Sequence, residues 1–289
     1  MPRPPGLLSS PTHRLWPRLF FPTSLENNVA PFPRERVRQA NFFVDTHFRV
    51  IHEDTHILVI HKPAPLAVHP VGSYFELNLH SLLKKDVRWA DTKIHFTHRL
   101  DAETSGVILI AKTYEAARFL GKEFITCRVK KKYHALVFGT PDPAVGSIDL
   151  PLGHDKSSGF QTVRIVDREN GQTARTDYTT LSTNGEYSFL EIKPCSGRTH
   201  QIRAHLAFIG HPVVGDKIYI DLNLFSRYVI HGLDDEMLER LKLRRLALHA
   251  SEISFTHPAT REWTTFKSEL PADIKTFLEK MEGCDFEKN

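Results

Sequence analysis

The chain has 289 residues, 40% of them hydrophobic and 25% charged, the balance of a globular protein able to bury a core without covalent staples. Its three cysteines, Cys127, Cys195 and Cys284, are odd in number and lack C-x-x-C spacing, which argues against a disulfide framework or zinc ribbon and for a reducing compartment. A net charge of +4 and a pI near 8.9 are too weak to name a nucleic-acid partner, and with no run near the ~18 apolar residues of a membrane span and no secretory core in the first thirty residues, the expected location is the cytoplasm.

Residues 1–45 carry eight of the 18 prolines and six arginines against three acids. Repeated proline blocks regular structure, so this stretch reads as an extended proline/arginine-rich arm, a targeting peptide being the minority reading. A single folded domain is expected over 46–281 and an acidic tail over 282–289. Short β-like runs follow the arm: Ile57 to Ile60, Val107 to Ala111 and Ala135 to Phe138, each bounded by polar or Gly/Pro punctuation. Helical spacing appears over 114–126, with Ala117, Leu120, Phe124 and Ile125 on one face, and over 199–209, with Ile202, Leu206 and Ile209, before Gly210. Glu252 to Phe255 and Trp263 to Phe266 flank a turn at His257-Pro258-Ala259-Thr260 and read as a hairpin; Pro271 opens a last helix with Ile274, Phe277, Leu278 and Met281 inward. Without regular βαβ alternation, the expected class is α+β with a mixed, mainly antiparallel sheet and flanking helices.

Three stretches could carry chemistry. In His98-Arg99-Leu100-Asp101-Ala102-Glu103-Thr104-Ser105-Gly106, a polar loop runs directly into an apolar strand. Asp101 thus sits at the rim of the core, where partial desolvation and a neighbouring cation tune a carboxylate as nucleophile or base. A turn-capping aspartate is equally compatible with the spacing. In Lys130-Lys131-Lys132-Tyr133, an aromatic beside three lysines suits a base stacked near phosphates, although rim packing of a strand tyrosine is the commoner case. In Pro194 to His205 a Gly-led turn enters a donor-rich helix holding Arg198 and Arg203, which suits a phosphate or a buried carboxylate such as Asp101; a solvated face is the alternative. The 17 histidines form no H-E-x-x-H or mixed Cys/His ladder, so no metal site is expected, and no G-x-G-x-x-G, Walker loop or G-x-S-x-G occurs.

These residues resemble the RluA-type pseudouridine synthases, which isomerise uridine in structured RNA. His61 to Pro70 is similar to the family's early strand and loop, His98 to Gly106 to its H-R-L-D-x-x-T-S-G signature, Lys131-Lys132-Tyr133 to its tyrosine motif, and Gly197 to His205 with Gly210-His211-Pro212 and Gly215-Asp216 to its arginine motif. The likeness spans roughly 48–275. It implies one catalytic domain with a central RNA-binding cleft, without the small N-terminal RNA-binding domain of many relatives, and a single chain acting on structured rRNA or tRNA with no cofactor, nucleotide or membrane. It also implies that Asp101 is the catalytic carboxylate, that Arg198 pairs with it and holds it ionised, that Tyr133 stacks on the target uracil, and that Arg99 enters the space a flipped base leaves. Leu248 is a candidate for an apolar pocket wall, and Lys130, Lys131 and Lys132 for RNA contact. A catalytically silent RNA-binding protein on the same fold is the alternative; the joint presence of Asp101, Tyr133 and Arg198 argues against it.

Overall fold

The computed structural model describes residues 43–283. The proline-rich arm up to residue 42 and the tail from residue 284 lie outside the described residues, and so does Cys284. In chain order the elements are β1 (Arg49–Glu53), β2 (Ile57–Lys62), α1 (Leu79–Lys85), β3 (His95–Phe96), β4 (Ser105–Ala111), α2 (Tyr114–Ile125), β5 (Lys130–Phe138), β6 (Val145–Asp149), β7 (Leu152–His154), β8 (Arg164–Val166), β9 (Arg175–Thr183), β10 (Tyr187–Pro194), α3 (Gln201–Phe208), α4 (Leu222–His231), α5 (Asp235–Leu241), β11 (Leu248–Thr256), β12 (Trp263–Lys267) and α6 (Ala272–Gly283).

One sheet of ten strands dominates. Its path runs β1-β2-β4-β11-β5-β10-β9-β6, with β12 paired to β11 and β3 to β4. Every pair is antiparallel except β4 with β11, so the class is the expected α+β with a mixed, mainly antiparallel sheet. β4 is buried along its whole length, which explains its unbroken apolar run: a strand covered on both faces shows no alternation. The sheet supports two cores. One gathers β2, β4 and α1 residues such as Ile60, Ile108 and Leu83; the other gathers β5, β10, α3 and α6 residues such as Leu136, Leu190, Leu206 and Ile274. Tyr133 packs against both.

The parallel contact is where the halves meet. His249 pairs with Ser105 and Ala250 with Gly106. Gly106 has φ +119, and a Cβ there would run into the Ala250 backbone; only glycine lets β4 come this close to β11 immediately after the Asp101 loop.

The hairpin of β11 and β12 and the helix after Pro271 form as the sequence predicts. The expected face of α2 forms except at its last position, with Ala117, Leu120 and Phe124 packed on the first core. On α2 the buried positions are Ala116, Leu120 and Glu123, while Ile125 is 84% exposed. Glu123, buried near the end of this helix, accepts from Arg128 Nε at 2.7 Å. α6 continues through Gly283, two residues into the stretch read as the acidic tail.

Candidate active site

The Asp101 loop is held at three consecutive residues. Arg203 Nη1 donates to Asp101 Oδ2 at 3.0 Å. The Ala102 carbonyl accepts from Leu66 N at 2.8 Å and from Lys62 Nζ at 3.2 Å. Glu103 receives Lys217 Nζ on both oxygens at 2.8 Å and the Leu246 amide at 3.2 Å. Lys62 is fully buried and also donates to the Pro63 and Leu66 carbonyls; burial is tolerable because three carbonyl oxygens replace its water. The carboxylate is therefore fixed in position before any ligand arrives.

Arg203 occupies the centre of this arrangement. It is the third residue of α3, is almost fully buried, and forks onto Asp216 with Nε to Oδ2 at 2.7 Å and Nη2 to Oδ1 at 2.8 Å while its Nη1 reaches Asp101. Asp216 in turn accepts the amides of Ile218 and Tyr219. Burial works to raise the pKa of Asp101, but the His200 ring and the Arg203 guanidinium, with the Arg203 hydrogen bond, more than reverse it, and the carboxyl lies below its ordinary value. Asp216 is lowered in the same way, its burial outweighed by Arg203.

The cation on Asp101 is thus Arg203 and not Arg198. Arg198 lies in the exposed turn before α3, where Gln201 fixes the backbone by accepting from the Ser196 hydroxyl and the Arg198 amide, and its Nε points to the Thr173 carbonyl at 3.4 Å. It lines the same pocket as Asp101 without touching it. The distinguishing signal was available: Arg203 sits among Ile202, Ala204 and Leu206 inside a helix, where a charge is buried and must be paired, whereas Arg198 follows a glycine outside it. The turn-capping alternative for Asp101 is also settled, since the side chain reaches Arg203 and the turn is closed by the Thr104 amide on the Asp101 carbonyl at 3.1 Å.

Arg99, Lys131, Tyr133, Arg198 and Leu248 surround the same pocket. Arg99 is exposed, while Leu248 is buried at its apolar side. Tyr133 stays a neutral phenol, since burial and then the charge of Asp101 push its pKa up. The three lysines do not form one patch. Strand alternation puts Lys131 on the face of Tyr133 and Lys130 and Lys132 on the other. Lys131 Nζ donates to the Ser196 carbonyl at 2.7 Å, and burial brings its pKa down to about 8. Lys132 is engaged with Glu191 at 3.1 Å and Glu252 at 3.9 Å, and exposed Lys130 reaches the Cys127 carbonyl.

His98 has a structural part that its motif position concealed. Its Nε2 accepts the Leu109 amide at 2.9 Å and its ring stacks on Phe124; burial drops its pKa to about 3, so the ring is neutral and ties the loop to β4. His205 and His249 are likewise buried and hydrogen-bonded on both nitrogens. Among the described residues, no group of three or more His, Cys, Asp or Glu side chains could hold a metal ion, and no helix is long and apolar enough to cross a membrane.

A carboxylate clamped by a doubly paired arginine, beside a tyrosine and beneath a basic rim, on a mixed sheet of this topology, defines the RNA pseudouridylate synthase class, whose family model matches residues 56–208. The chain belongs to that family, in its RluA-type branch, a family of isomerases. It is 36% identical over 227 residues to an uncharacterized RNA pseudouridine synthase of Chloroflexus aurantiacus, covering 76% of this chain and 65% of that protein. It is 32% identical over 257 residues to the ribosomal large subunit pseudouridine synthase D of Zymomonas mobilis, covering 87% of this chain and 77% of that one. Among solved structures, the human RNA pseudouridylate synthase domain containing 4 superposes with a TM-score of 0.64 at 27% identity, over 81% of this chain and 92% of that one.

Proposed function

We propose that this chain converts specific uridines of structured RNA to pseudouridine, with Asp101 as the catalytic carboxylate and ribosomal RNA as the substrate favoured over tRNA. The observation that carries the reading is the Asp101 side chain itself: Oδ2 is anchored by Arg203, Oδ1 makes no hydrogen bond among the described residues, and Asp101 lines the same pocket as Tyr133. The names of the curated relatives support ribosomal RNA.

The isomerisation breaks the bond from uracil N1 to ribose C1′, turns the base, and joins C5 to C1′. The proton lost from C5 is balanced by the one gained at N1, so no electron donor or group donor is consumed. Asp101 serves by attacking the sugar or removing its proton, a role that needs an ionised oxygen held within near-attack distance. Tyr133 stacks on the uracil and, with Leu248, keeps the freed base from escaping. A base cannot be reached inside a helical stack, so the uridine is turned out; Arg99, exposed two residues before Asp101, fills the gap. Arg198 and Lys131 meet the RNA backbone at the rim.

Two experiments test this. Pseudouridines mapped in RNA from cells lacking this chain should show at least one lost position, restored by the wild-type gene and not by an Asp101 variant; an unchanged map overturns the reading. Lys131→Met should weaken RNA binding and reduce the salt slope by about 0.7–0.9 for the one phosphate contact removed. Lys132→Gln should leave that slope unaltered, because Lys132 is already neutralised by Glu191 and Glu252. Filter-binding titrations between low and moderate salt read both.

A further inference from the structure

His200 stands beside the reacting carboxylate and has no place in the scheme above. It precedes α3 with φ +55, a left-handed conformation that costs a non-glycine residue energy and that points to a constraint on where its ring must go. Its Nε2 lies 3.8 Å from Asp101 Oδ2, beyond hydrogen-bonding distance, and makes no hydrogen bond among the described residues. Nδ1 is 3.3 Å from the Tyr219 hydroxyl. That hydroxyl accepts the Arg164 amide at 3.0 Å, so its own proton is free to go to His200 Nδ1. Burial, then Arg203, brings the His200 pKa down to about 4, which keeps the ring neutral near pH 7. A neutral ring that accepts at Nδ1 carries its one proton on Nε2. The result is a fixed N–H donor on a residue that lines the pocket, 3.8 Å from the nucleophile.

We propose that His200 Nε2–H donates to the ribose 2′-hydroxyl of the target uridine and makes the site selective for ribose over deoxyribose. The proposal rests on the reading of Asp101 as the group that acts on the sugar. A ribose that presents C1′ or C2′ to Asp101 necessarily brings its 2′-oxygen close to the same carboxylate. A hydroxyl there accepts from Nε2 and donates to the carboxylate, closing a gap that neither protein group can close alone. The ring oxygen is the less suitable acceptor, because a donor on it withdraws electrons just as the breaking glycosidic bond leaves positive charge on the sugar. The 2′-hydroxyl is also the group by which a protein tells RNA from DNA at a given position.

The test compares single-turnover rates on two oligonucleotides that differ only in carrying ribose or 2′-deoxyribose at the mapped target uridine. His200→Phe should lower the ribose rate by about three- to tenfold more than the deoxyribose rate, the loss expected of one hydrogen bond to a neutral donor. Because each substrate is its own reference, the different intrinsic reactivity of the two sugars cancels. Equal loss on both substrates, or no loss on either, overturns the proposal. If His200→Phe does not fold by its circular dichroism melt, Tyr219→Phe carries the test: it frees the proton to move to Nδ1 and should narrow the ribose preference at least threefold, and an unchanged preference overturns the idea. Absence of pseudouridine from the wild-type enzyme on the ribose substrate refutes the isomerase reading itself, an outcome distinct from loss of the preference alone.

Discussion

Asp101→Asn should reduce pseudouridine formation to less than about one part in 10⁴ of wild type while leaving RNA affinity nearly intact. The amide keeps the shape and can still accept from Arg203 Nη1, but it can neither attack a sugar carbon nor hold a proton removed from one. Asp101→Glu should fail as well, since Arg203 is itself locked on Asp216 and cannot follow a carboxylate displaced by one methylene. Single-turnover assays with the mapped substrate decide the matter, and conversion by either variant at more than a few per cent of the wild-type rate removes Asp101 from the chemistry. In the wild type, the lowered Asp101 pKa keeps the carboxylate ionised, so activity should persist on the acid side through the range in which ordinary aspartates titrate.

Arg203→Ala should cost about 3–5 kcal/mol of folding stability, because it leaves two carboxylates, Asp101 and Asp216, desolvated without their cation. Arg198→Ala should stay within about 0.5 kcal/mol, as expected of an exposed side chain away from such networks. The pH dependence has a definite sign. Both carboxylates are depressed in the folded wild type, so their stabilisation is present above the unfolded carboxylate pKa and is lost as pH falls through the folded value. Without Arg203, burial is opposed only by His200 and, at Asp216, by backbone amides, and the two pKa values rise, so the gap between variant and wild type should be widest near neutral pH and shrink on acidification. Arg203→Lys keeps the charge without the planar fork and should fall between. Denaturant melts over that pH range read each of these, and a double-mutant cycle should show coupling above about 1 kcal/mol for Asp101 with Arg203 and below about 0.5 kcal/mol for Asp101 with Arg198. The reverse pattern would restore Arg198 as the partner.

The contrast between these two arginines shows what the sequence could and could not convey. The strands, the hairpin, the last helix and the loop carrying Asp101 were legible because each depends on local periodicity and punctuation. Pairing across the fold was not. Arg203, Asp216 and Asp101 converge from three separated segments; motif position does not say which of two arginines in one stretch turns inward, and the apolar neighbours of Arg203 say only that it is buried, not what it pairs with. How the lysine run divides was hidden for a related reason, since adjacent strand residues face opposite ways and Glu191 and Glu252, which pair with Lys132, lie far along the chain. Lys62 and His200 had no local signal at all: a buried lysine clasped by three carbonyls and a histidine oriented by a tyrosine hydroxyl are products of tertiary structure.

The placement of β11 has a consequence for how the enzyme comes into being. It is the strand that joins β4, which follows the Asp101 loop, to β5, which carries Tyr133, and its His249 meets Ser105 across 144 residues of chain. Contacts this remote are late to form, because the intervening chain must be ordered before they return any stabilisation. On the ribosome, β1, β2 and β4 can pair as they emerge, as can β5, β9 and β10, yet the two partial sheets have no shared edge until β11 is synthesised. The nascent chain is therefore expected to hold its carboxylate and its tyrosine on separate half-sheets from the synthesis of β10 until that of β11, and to complete its cleft in that late step.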